Sequence, residues 1–221
     1  MKSIICNSES VRAILDGRKT QTRRVVTRMT SNVDGHGRAN KEFWEQLDFS
    51  DYYLDSGPSP AGNPGPYLKI YNPTLTTRHR IYPIWFPGDK LWVRETWKPF
   101  ISVTDPRYGI RYKADKSRVS KGMPVNLITE LVAKSTKWRA SIHMPIWASR
   151  ITLEIKDVRV ERVQDISFAD VIAEGFPFEK GSEVDSWYKS AFEGLWDSIN
   201  LKRGFGWDTN PWVWVKEFEI I

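Results

Sequence analysis

Between a helix-ending glycine and an extended segment the chain carries GRKTQTRR, Gly17 to Arg24. Arg18, Lys19, Arg23 and Arg24 here surround two threonines, Thr20 and Thr22. A lysine can act as a base only when its pKa falls, and neighbouring like charges disfavour the protonated amine. A neutral Lys19 close to the Thr22 hydroxyl would make an activated nucleophile pair. A lysine in a basic loop is also the commonest kind of phosphate contact, so both readings stand at this point. Were Lys19 to Arg24 a regular strand, Lys19 and Thr22 would point to opposite faces, and joint action would need a turn or bulge between them. A carboxylate must come from elsewhere in the chain. Glu95 in VRETW and Glu174 in IAEGF both stand at the ends of elements.

Other chemistries find less support. His36, His79 and His143 have no Cys, His or carboxylate at metal-ligand spacing, so neither a metal nor a cofactor is expected. The chain has no phosphate-binding glycine loop and no GxSxG elbow. Cys6 is the single cysteine, which excludes an intrachain disulfide. The net charge is +6, and residues 1–30 hold seven cations against two anions, which is +5 of that excess. Such a balance favours an anionic partner such as nucleic acid or a nucleotide. No apolar run reaches membrane-spanning length or resembles a signal peptide, so a cytoplasmic protein without a membrane partner is expected.

These side chains need a scaffold. Lys2 to Cys6 reads as a short strand. Val11, Ile14 and Leu15 have helical spacing, with Asn7, Ser8 or Ser10 to cap the start and Gly17 to end it. Residues 31–66 hold nine Gly or Pro among 36, with aromatics between them, and predict a partly ordered, lid-like insertion. FPGDKLWVRETW predicts a turn and a strand, with Leu91 and Val93 on one face and Trp92 and Arg94 on the other. Residues 99–137 form a second polar excursion. In RITLEIKDVRVERV the apolar phase slips at Lys156–Asp157, which predicts a bulge that bends a long strand, as in a small barrel. Ser167 and Asp170 resemble a capping box for a short helix ended by Gly175. SWYKSAFEGLWDSIN predicts a helix whose apolar stripe includes Trp187, Tyr188, Phe192, Leu195, Trp196 and Ile199. NPWVWVKEFEII reads as a closing, buried strand. The class is α+β around a curved, mostly antiparallel sheet.

Taken together, ILDGRKTQTRR, GDKLWVRE, ITLEIKDVRVERV and DISFADVIAEGF resemble an ASCH domain, a member of the PUA-like group. WRASIHMPIWASRI, LWDSIN and NPWVWVKEFEI are closer to its larger, phage-associated branch. The resemblance implies a small curved β-barrel with flanking helices. It implies a single domain over residues 1–221, with insertions at about 27–80 and 99–137. Some members of the family are amidohydrolases that deacylate N4-acetylcytidine with a lysine, a threonine and a glutamate, which carry over as Lys19, Thr22 and Glu174. Arg23, Arg24, Glu95, Trp97 and His143 are then candidates for substrate binding. Glu95 would accept from a cytosine amino group, and Trp97, like Trp138, would stack on a base. The expected partner is a nucleoside or nucleobase. An RNA-binding module without catalysis and a ribonuclease are the alternatives.

Overall fold

The computed structural model describes residues 1–27, 31–33, 43, 46–55, 57–60, 62, 65–101, 108–120, 137–177 and 185–221. In chain order the elements begin with β1 (Lys2–Ile5), α1 (Ser8–Leu15), β2 (Gln21–Val25), β3 (Ser31–Val33), β4 (Asp48–Asp55), β5 (Tyr67–Asn72) and β6 (Thr77–Pro83). Next come β7 (Lys90–Arg94), β8 (Trp97–Ile101), β9 (Tyr108–Tyr112), β10 (Arg118–Ser120) and β11 (Thr152–Arg162). Helices α2 (Phe168–Ala173) and α3 (Asp185–Asn200) and strand β12 (Trp212–Ile220) follow. The class is mixed α+β, mostly sheet. Among the described residues the sheets are open, and the expected closed barrel is not among them.

The chain divides into two compact units. The first comprises Met1–Lys19, Asp89–Glu154 and Glu219–Ile221. In it β1 pairs in parallel with β7, and β7 pairs antiparallel with the start of β11. Asn7 caps α1 by accepting from the Ser10 N–H, and Gly17 follows the helix with φ +71°, as the sequence predicts. Leu91 and Val93 are buried, while Trp92 and Arg94 on the other face are partly exposed. The polar excursion after Trp97 contains an antiparallel sheet of order β10-β9-β8. It packs a core of Trp97, Ile110, Tyr112, Met144 and Ala148. The stretches 102–107 and 121–136 of that excursion lie outside the described residues.

The second unit comprises Thr20–Gly88 and Ile155–Phe218. Here β12 lies between β11 and β2 and pairs antiparallel with β2, from Val213 opposite Val25 to Glu217 opposite Gln21. Lys156 and Asp157 are both exposed between buried Ile155 and Val158, which is the phase slip that the sequence announces. Ser167 and Asp170 form the capping box of α2, and Gly175 has φ +96°. The segment read as a lid-like insertion contains an antiparallel sheet of order β3-β6-β5-β4. Tyr52–Asp55 pairs with Ile70–Tyr67, so part of that segment is laddered chain; 34–42 and 44–45 lie outside the described residues.

α3 corrects a second expectation. Only Tyr188, Phe192 and Trp196 of its apolar stripe are buried, in a cluster with Val163, Val171, Val213 and Val215. Trp187, Leu195 and Ile199 are exposed. The buried residues recur every four positions, so the helix seats a single narrow row of side chains.

Candidate functional site

The basic stretch enters β2 through Thr20, which is held on both sides. Its N–H donates to the Ala173 carbonyl at 2.9 Å, and its carbonyl accepts from Phe218 N–H at 2.8 Å. The first bond satisfies one of the carbonyls that a helix leaves open at its C-terminus, here at the end of α2. The next residue, Glu174, is the C-cap of α2. An anion at a helix C-terminus is unfavourable unless a cation answers it. Arg23 does so, its Nη1 lying 3.2 Å from Glu174 Oε1. Lys19 is the last residue of the first unit, is 9% exposed, and its backbone N–H donates to Ala13 O.

Arg23 has 1% of its side chain exposed and meets two further carboxylates, Glu161 at 2.6 Å and Asp170 at 3.2 Å. Arg159 joins the same group, 2.7 Å from Asp170 and paired with Glu217. Gln21 Nε2 donates to Asp170 Oδ1 at 3.0 Å. Burial alone would raise the Asp170 pKa. The hydrogen bonds from Ser167 and Gln21 and the charge of Arg23 outweigh it and bring the value down to about 2. Arg23 is therefore an internal charge held by three acidic side chains, rather than a group displayed to a ligand.

The strand alternation places Thr22 and Arg24 on the opposite face of β2 from Gln21, Arg23 and Val25. Thr22 is 7% exposed, and the residue directly across from it on β12 is Lys216. Lys216 is 1% exposed, in a face made by Trp212, Trp214 and Phe218 of its own strand. Its Nζ sits over the Trp85 ring, 5.0 Å from the centroid. Burial strips water from the ammonium and the charge of Arg24 opposes it, which lowers the Lys216 pKa from 10.5 to about 7. Besides burial, the one charge that acts on Lys216 is that of Arg24. Sequence reasoning passed over Lys216. The signal was there, a single lysine on the parity that otherwise reads Trp212, Trp214, Phe218.

Glu95 belongs to the first unit and is 1% exposed. Both its oxygens are engaged by Arg150, Nε to Oε1 at 2.8 Å and Nη2 to Oε2 at 3.0 Å. Arg150 also binds Asp115 at 2.7 Å and lies 4.0 Å from the Tyr112 ring centroid. Desolvation raises the Glu95 pKa despite the opposing arginine, and pushes Tyr112 up to about 12. Glu95 is thus spent on a buried bidentate pair, 55 residues away in sequence, in place of the expected cytosine contact. Trp97 is 1% exposed within the core named above, so it is packed and not presented as a stacking platform. His143, Arg24 and Trp138 are exposed, and Lys98 Nζ lies 5.1 Å from the Trp138 ring centroid.

No family model, curated protein or solved structure matches this chain. Among the described residues no cluster of three His, Cys, Asp or Glu is placed to hold a metal ion, and no helix is long and apolar enough to cross a membrane.

Proposed function

We propose that the protein is an amidohydrolase of the ASCH type, within the PUA-like group, that removes the acyl group from N4-acylated cytosine nucleosides or bases. The observation that supports this reading is the junction of two distant motifs. The Thr20 N–H bonds Ala173, and Arg23 holds Glu174, so the basic stretch and the end of α2 form one local structure. A module that only binds nucleic acid has no need of a glutamate in register with its basic strand. In the proposed scheme Thr22 Oγ1 attacks the acyl carbon and a neutral lysine amine, Lys19 by the family resemblance, removes its proton. By the same resemblance Glu174 would position the amine and help return a proton to the departing cytosine nitrogen, for which it must reach past Arg23, its partner on the opposite face of β2 from Thr22. Water then hydrolyses the acyl-threonine and releases the acid.

Incubation with N4-acetylcytidine tests the reading. Loss of the acetyl group in the wild-type protein, and its abolition in Thr22→Ala, is the expected result. RNA binding that weakens steeply with salt, without turnover of any acylated cytosine, would establish the binding module instead.

A further inference from the structure

We propose that Lys216 is a catalytic base of this protein, taking the Thr22 hydroxyl proton when Thr22 attacks an acyl carbon. The inference rests on the reading of Thr22 as the attacking group, and moves one step of that scheme from Lys19 to Lys216.

The geometry begins with register. Thr22 and Lys216 are directly opposed on β2 and β12 and share one face of the pair. Opposed Cβ atoms in an antiparallel ladder lie about 4.5–5.5 Å apart, within the sweep of a lysine side chain. Both residues are buried. Glu161, Asp170 and Glu174 pair with Arg23, whose side chain is on the other face. Around the Lys216 amine stand the Trp85 ring and, from β2, Arg24, the charged group that acts on it. Burial and a like charge, working against the attraction of the Trp85 face for an ammonium, bring the amine to where its lone pair is available near neutral pH, which is what a general base needs.

The step balances as follows. A bond forms between Thr22 Oγ1 and the acyl carbon while the hydroxyl proton passes to Lys216 Nζ. The tetrahedral oxyanion collapses, the carbon–nitrogen bond breaks, and Lys216 gives its proton to the leaving nitrogen. Water then attacks the acyl-threonine and loses a proton to Lys216; the bond from the acyl carbon to Thr22 Oγ1 breaks, Lys216 returns that proton to Thr22 Oγ1, and the carboxylic acid leaves.

The test uses p-nitrophenyl acetate as an acyl donor, with acetylation of Thr22 located by mass spectrometry between pH 5 and 9. These conditions span the Lys216 titration near 7. The wild-type protein should acetylate at Thr22 with a rate that rises through about pH 7. Lys216→Met should slow acetylation by about 100-fold or more and remove that rise, the usual scale for losing a general base. Unchanged acetylation in folded Lys216→Met, or no acetylation of wild-type Thr22, overturns the proposal. Should Lys216→Met not fold, the wild-type protein decides. Its acetylation midpoint must coincide with the Nζ titration of Lys216 followed by NMR, and separate midpoints overturn the proposal. N4-acetylcytidine turnover keeps the two readings apart. Turnover that survives Lys216→Met sinks the base and spares the amidohydrolase. Lys216-dependent acetylation of Thr22 without turnover of acylated cytosines sinks the substrate class and spares the base.

Discussion

Arg23 and Lys216 are two buried cations on neighbouring strands of one ladder, and their surroundings are opposite. Arg23 faces Glu161, Asp170 and Glu174, and every side of its guanidinium is answered. Lys216, on the other face, meets Trp85 and the like charge of Arg24. A guanidinium cannot give up its charge, so burying it requires partners. An ammonium can lose its proton, and the burial of Lys216 beside Arg24 favours that outcome. The same strand pair thus keeps one charge to hold its framework and loosens its hold on the proton of the other, which lies opposite a threonine.

The comparison can be broken first at Arg23. Arg23→Met strands three acidic side chains around a buried site, and removing one partner of a buried ion pair costs about 3–5 kcal/mol. Urea unfolding at pH 7 should show a loss of that size. A loss below about 1 kcal/mol, the range of exposed pairs, would mean that the carboxylates are served by solvent.

Lys216→Met should act in the opposite direction, and with a pH dependence. The unfolded chain holds the Lys216 proton up to about 10.5, the folded chain only up to about 7. Between these values the unfolded state binds more protons, so wild-type stability rises with pH across that window and the penalty is full below it. A fall from 10.5 to about 7 corresponds to roughly 5 kcal/mol. Lys216→Met should therefore be more stable than wild type at pH 6, by up to that amount. The advantage should shrink steadily as pH rises from 7 toward 10.5. Parallel stability curves for the two proteins over that range would contradict the account.

The smallest effect concerns the frame beneath Glu174. Ser167→Ala removes the side-chain acceptor from the Asp170 N–H and one of the bonds that hold the Asp170 carboxylate. Loss of such a cap costs typically about 1 kcal/mol. Thermal melting should register it, while Asp170 should titrate at a higher pH than the wild-type value of about 2.

What was legible in the sequence was what local spacing encodes. The Ser167–Asp170 box, the stops at Gly17 and Gly175, and the slip at Lys156–Asp157 each announce themselves within a few residues. The partners were not legible. Nothing near Glu95 points to Arg150, and nothing near Arg23 points to Glu161, because those meetings depend on strand order. The exposure of Trp187, Leu195 and Ile199 was hidden for a related reason: an apolar stripe records which side chains could be buried, while the neighbouring elements decide how many are. Lys216 stood between the two cases. Its parity marked it as inward-facing, but only the register opposite Thr22 gives that burial a chemical use.

The most direct test of that use is the titration of Lys216 itself, read from its Cε and Nζ resonances by heteronuclear NMR and assigned by their absence in Lys216→Met. A midpoint near 7 is the predicted result. A midpoint at the ordinary 10.5 would show an ammonium that keeps its charge, and the contrast with Arg23 would be lost.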